Sequence, residues 1–253
     1  MLPDILQRIV AAKRETLRAA QQRLPLRELQ AQCADLPPTR GFAEALARPG
    51  VRVIAEAKKA SPSKGLIAPD FNVVETVRRY EAAGAAACSI LTEERFFLGS
   101  LDFLRAARAA VALPLLRKDF LFCDYQLFEA RAAGADAVLL IAAMLEDAHL
   151  ADLAAQAHAL GLDVLAEAHT EAEVDRLVAL GLRVIGVNAR DLRTFSTDLG
   201  RVRSLLARIP SDRLAVAESA IFSKADMATA GATRFLIGEA LMRRPTLLAE
   251  LLQ

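Results

Sequence analysis

The sequence predicts an α/β fold in which eight parallel strands alternate with helices and close into a (β/α)8 barrel, preceded by an N-terminal helical extension. Three features of the 253 residues carry that expectation. Apolar runs repeatedly end on a polar residue: VRVIAEA at Lys58, PLLR at Lys118, DVLA at Glu167, RVIGV at Asn188 and LAVA at Glu218. A buried strand carries unpaired charge only at high cost, so polar groups recurring at run ends point to one shared polar face. Secondly, five amphipathic runs stop at a glycine just before an apolar run, at Gly84, Gly134, Gly161, Gly181 and Gly231. Each reads as a helix capped in the left-handed conformation and followed by a strand. Thirdly, the spacing of these joints counts to eight strands. Gly134, Gly161 and Gly181 follow at 27 and 20 residues, while the two 50-residue gaps each hold one further joint, at Pro114 and Pro210.

In chain order, residues 1–48 read as amphipathic helices, for example ILQRIVAAKRETLRAA, which either cap one barrel end or lie along its rim. The strands are expected at 51–58, 86–92, 113–118, 136–141, 163–168, 183–188, 213–218 and 234–238, with helices filling the intervals. A doubly wound open sheet is the structural alternative; no GxGxxG follows the first strand, and the count of eight favours closure. The whole chain, 1–253, is expected to be one domain, with 1–48 as the extension and 49–253 as the barrel.

Composition narrows the function. The chain is 54% apolar with a formal charge of +1, which leaves no electrostatic footprint for nucleic acid or an anionic membrane. Cys33, Cys88 and Cys123 lack ligand or disulfide spacing, and no N-terminal segment joins a basic flank to a long apolar core; a cytoplasmic protein is expected. His149 and His158 share one amphipathic segment and read as surface residues. His169 follows Glu167 by two and is the one histidine within reach of the polar face.

Glu56 and Lys58 stand two apart in IAEAKKASPSKG, so their side chains share one side of a strand, either as a structural ion pair or as site residues. This run resembles the first-strand signature of the indole-3-glycerol phosphate synthase family. LTEERFFLGS, LLRKDFLFCDYQLFEARAAGADAVLLI, LAEAH, IGVNARDLRTF, VAESA and FLIGEALM resemble further family segments in the same order. Two positions depart from the pattern: Ala220, where the family usually has Gly, and Ala189, where Asn or Ser is common.

The resemblance implies a (β/α)8 TIM barrel. It also implies closure of the indole ring of 1-(o-carboxyphenylamino)-1-deoxyribulose 5-phosphate with loss of CO2 and water, in tryptophan biosynthesis. By that likeness Lys118 is the general acid, Glu167 the base, and Lys58 the partner of the substrate carboxylate; Glu56 and Asn188 complete the catalytic set. Ser61, Arg190, Glu218, Ser219, Phe97, Phe120 and Leu139 would bind substrate, and Ser61, Ala220, Gly238 and Glu239 its phosphate. Arg190 has a second reading as a partner of Asp191 or Glu167, and the phenylalanines as plain core.

Lys118 is expected to have its pKa lowered by Lys58 or by burial, and Glu167 to have its pKa raised by its apolar strand. If Ala220 has positive φ, phosphate affinity should suffer. The SPSKG loop is expected to order over substrate. The partner implied is a phosphorylated small molecule. No metal, cofactor, nucleic acid, membrane or obligatory protein partner is expected. The rival readings are an isomerase of phosphoribosyl compounds, which would rely on a Cys/Asp or Asp/Asp pair, and a silent phosphate-binding barrel.

Overall fold

The computed structural model describes residues 3–191 and 193–253. Its eight parallel strands are β1 (Arg52–Ala57), β2 (Ala87–Leu91), β3 (Leu115–Lys118), β4 (Ala137–Ile141), β5 (Asp163–Ala168), β6 (Val184–Asn188), β7 (Leu214–Glu218) and β8 (Arg234–Ile237). Each pairs with its sequence neighbours, and β8 closes onto β1 through Arg52↔Arg234 to Ala55↔Ile237. Every strand lies within two residues of its expected bounds. Gly84, Gly134, Gly161, Gly181 and Gly231 all have φ between 66° and 89°, the left-handed conformation that the joints require.

The period-2 alternation of the strands divides the core in two. Outward residues such as Val53, Cys88, Val138, Leu140, Ile185 and Phe235 pack under the helices. Inward residues, among them Ile54, Leu116, Leu139, Leu165, Val216 and Leu236, fill the barrel. Two residues further along the same inward rows stand Glu56, Lys118, Glu167 and Glu218, so the strand period delivers them to one end of the interior.

The extension forms three helices, α1 (Asp4–Arg23), α2 (Leu26–Ala34) and α3 (Phe42–Ala47), and it divides between the two barrel ends. Phe42, Ala43 and Leu46 of α3 are fully buried against the inward residues at the N-terminal end of the strands, and each of the two large side chains contributes about 2 kcal/mol. Asp163 accepts the Ala43 N–H at 2.8 Å, and Asp136 accepts that of Arg40 at 2.7 Å, which fastens this plug. Helix α1 lies at the opposite end. Its Lys13, 4% exposed, reaches Asp119 immediately after β3 at 3.0 Å. A short antiparallel hairpin, Ala60–Ser61 with Gly65–Leu66, follows β1 and was not foreseen from the sequence.

The remaining helices follow the strands: α4 (Val73–Ala82), α5 (Leu101–Ala110), α6 (Asp124–Ala132), α7 (Asp147–Ala159), α8 (Glu171–Ala179), α9 (Leu199–Leu206), α10 (Lys224–Ala230), α11 (Glu239–Arg243) and α12 (Leu247–Leu252). Asn72, Ser100, Thr170, Asp198 and Ser223 each accept a backbone N–H at a helix start, so these βα loops end on side-chain caps. No described helix is long and apolar enough to cross a membrane.

Candidate active site

The C-terminal ends of the strands surround a pocket open to solvent. Of the residues expected at a site, Glu56, Lys58, Ser61, Phe97, Lys118, Phe120, Leu139, Glu167, Asn188, Arg190, Glu218, Ser219, Ala220, Gly238 and Glu239 all line it. Sequence reasoning missed Ile5, Leu6 and Ile9 of α1, which line the same pocket, together with Phe195 and Phe222 from the loops after β6 and β7. The apolar spacing of Ile5, Leu6 and Ile9 was visible in the sequence, but nothing there said which barrel end the helix would meet.

Charge is concentrated on the pocket floor. The Lys118 ammonium lies 2.9 Å from Glu167 and 3.6 Å from Glu218, both almost fully buried. Lys58 pairs with Glu56 on β1. Two glycines make room for these groups. A Cβ on Gly186 would fall 1.9 Å from Glu218 Oε1, and one on Gly238 would fall 2.2 Å from Glu56 Oε1.

The electrostatics differ from the sequence expectation. Burial alone would lower the Lys118 pKa, but Glu167, Glu218 and Glu56 surround it and push it up. Glu167 is held down at about 2: burial opposes this, and the Lys118 ammonium followed by His169 outweighs burial. Glu218 is the carboxyl whose pKa is raised well above the usual range, by burial first and by the adjacent Glu167 charge second. Neither of its oxygens has a hydrogen-bond partner among the described residues. The floor thus sets a lysine beside two carboxyls whose proton affinities are driven in opposite directions, Glu167 down and Glu218 up.

One wall is aromatic and apolar: Phe97 and Phe120 have ring centroids 5.9 Å apart, with Leu139 beneath. The opposite wall is polar. Asn188 Oδ1 accepts from the Ser219 hydroxyl at 2.8 Å and from the Arg190 N–H at 3.0 Å. The Arg190 guanidinium donates to the Phe195 carbonyl at 3.1 Å and approaches Glu239 at 3.8 Å, so its partners are neither Asp191 nor Glu167. Glu239 also lies 3.0 Å from Arg243 and 3.9 Å from Lys64 of the hairpin loop.

Ser219 and Ala220 both have positive φ, 69° and 58°, a conformation strained for side-chain-bearing residues. His149 and His158 are exposed on α7, whereas His169 is buried behind Glu167. Among the described residues no group of three or more His, Cys, Asp or Glu side chains is arranged to hold a metal ion.

Comparison with known proteins agrees with this fold. A solved thiamine phosphate pyrophosphorylase from Pyrococcus furiosus superposes with a TM-score of 0.58 over 79% of this chain and 93% of its own, at 16% identity, which establishes a shared fold. The family profile described as indole-3-glycerol phosphate synthase matches residues 6–252. From the first turn of α1 to the end of α12 the chain therefore belongs to the indole-3-glycerol phosphate synthase family of carboxy-lyases, which form the indole ring in tryptophan biosynthesis from a phosphorylated substrate.

Proposed function

We propose that this chain closes the indole ring of 1-(o-carboxyphenylamino)-1-deoxyribulose 5-phosphate by general acid-base catalysis on the floor described above. The observation that carries the reading is the Lys118 ammonium 2.9 Å from an ionised Glu167, in one pocket with Lys58, Asn188 and an aromatic wall. The anthranilate ring lies against Phe97, Phe120 and Leu139, and its carboxylate faces Lys58. As the ring carbon bearing that carboxylate attacks C2, Lys118 protonates the developing alkoxide. The bond to CO2 then breaks, and its electrons restore the aromatic ring.

In the second stage the C2 hydroxyl leaves as water, protonated from Lys58, while Glu167 removes the proton whose loss completes the indole. Glu167 lies close enough to Lys118 to return that proton directly, and Lys58 takes its proton back from solvent, the one proton that the overall decarboxylation consumes. The rest of the site positions substrate. Glu56, Asn188 and Glu218 hydrogen-bond the ribulose-derived hydroxyls, Ser219 lines their wall, and Arg190 holds the polar side of the pocket. The phosphate sits between Ser219–Ala220 and Gly238–Glu239, under Ser61, and competes with Glu239 for Lys64 and Arg190.

Indole fluorescence from the carboxyphenylamino substrate tests the assignment. Lys118→Ala and Glu167→Gln are each expected to lower kcat by at least roughly 100-fold, the scale of a lost proton-transfer group. Substantial turnover by both variants would remove the acid and base assignments. The phosphoribosyl isomerase alternative fits poorly, because the floor offers Lys and Glu where that chemistry uses a Cys/Asp or Asp/Asp pair.

A further inference from the structure

His169 stands just beyond β5, two residues after Glu167, and is 7% exposed. Neither ring nitrogen has a hydrogen-bond partner within normal geometry among the described residues. Both nevertheless face a carboxylate: Nε2 lies 3.4 Å from Glu167 Oε1, and Nδ1 lies 3.6 Å from Glu173 Oε2. A buried polar ring left without bonds is costly, and a site that stays slightly slack in the free protein commonly tightens with its substrate. A small movement of the ring would convert either contact into a hydrogen bond.

Glu173 supplies the fixed end. Its Oε2 accepts the His169 backbone N–H at 2.7 Å, and its own N–H donates to the Thr170 hydroxyl at 3.2 Å, so the first turn of α8 is locked onto the end of β5. The imidazole therefore spans the distance from a capped helix start to the back of Glu167. It touches Oε1, and the other oxygen, Oε2, is the one that meets Lys118 at 2.9 Å. His169 does not line the pocket, so it acts only through Glu167.

We propose that His169 is a positioning residue for the base: its Nε2–H holds Glu167 by Oε1, so that Oε2 stays aimed at Lys118 and the substrate. The inference rests on the reading of Glu167 as the base. A carboxylate gripped at one oxygen loses the freedom to rotate its working oxygen away, and a supporting contact of this kind acts on kcat rather than on substrate affinity.

The two side-chain amides separate the two ends of the ring. Glutamine places its amide nitrogen near the former Nε2, and asparagine near the former Nδ1. His169→Gln is expected to keep kcat within about threefold of the parent, while His169→Asn lowers it roughly tenfold, with KM for the carboxyphenylamino substrate within about twofold in both. If the Asn variant does not fold, His169→Phe takes its place with the same expectation.

Equal kcat in the Gln variant, the donor-lacking variant and the parent would overturn the proposal. So would parallel losses of kcat in both variants with KM rising alongside, the signature of a purely structural role. Glu167→Gln, assayed in the same series, keeps the two claims apart. Full activity there would sink the base assignment itself, whereas an inactive Glu167→Gln beside an unaffected His169→Asn would sink only the positioning role.

Discussion

At the scale of single residues, the site's properties come from what each side chain faces, and Ala220 is the clearest case. Its φ of 58° would suit a glycine, and the preceding Ser219, at 69°, is held in the same left-handed region. A Cβ in this conformation costs about 1–2 kcal/mol, and it also stands where backbone N–H groups would approach a phosphate. Ala220→Gly is therefore expected to stabilise the loop by about 1 kcal/mol and to tighten inorganic phosphate about fivefold, read by thermal unfolding and titration calorimetry. No change in either would mean that the surrounding loop, and not φ, sets the strain.

The same scale marks where the sequence could not be read. The residue types on the floor were visible as polar endings of apolar runs, but their ionisation was not. Lys118 was expected to lose basicity and Glu167 to gain it, yet each moves the other way because they face one another, and Glu218 is the carboxyl whose pKa rises. Run endings tell which residues reach the mouth. They do not tell which of them become neighbours around the ring.

Among elements, the strands were the most legible, because an inward-outward alternation and a left-handed glycine at each joint are local signals. The extension was the least. Its helices were expected either to cap an end or to lie along the rim, and they divide the work: α3 plugs the N-terminal end while α1 overhangs the mouth. What fixes α1 is a buried network assembled over 106 residues of sequence. Lys13 reaches Asp119 at 3.0 Å, and Asp119 also accepts from Thr92 at 2.6 Å and from Arg117 at 3.0 Å.

Opposite charges so far apart in sequence give no local pattern to read, which is why the network escaped notice. Lys13→Met would leave the fully buried Asp119 with one cation fewer. Breaking such a pair costs about 3 kcal/mol, which lowers the thermal midpoint by roughly 6–12 °C for a protein of this size. Lys13→Arg should recover most of the loss. A midpoint unchanged in the Met variant would show that Arg117 and Thr92 suffice for Asp119.

On the scale of the whole molecule, we propose that extension and barrel form a single cooperative unit. The chain has two tyrosines and no tryptophan, and the tyrosines report on different parts of the structure. The Tyr80 hydroxyl donates to the Glu56 carbonyl beneath the active site, and that of Tyr125 donates to the Leu24 carbonyl between α1 and α2. Both rings are buried. Near-ultraviolet circular dichroism from the tyrosines should therefore vanish in one transition that coincides with the far-ultraviolet loss of helix. An earlier, separate tyrosine phase would identify the extension as an independently melting part.

The packed interior, from the inward rows down to the seal of Phe42, Ala43 and Leu46, has one more effect, and it concerns traffic. With no passage through the barrel, reactant, carbon dioxide, water and the finished indole compound share the doorway at the mouth. Departure of one molecule then becomes a condition for arrival of the next, and a product slow to leave would govern the pace of the enzyme however fast its chemistry ran.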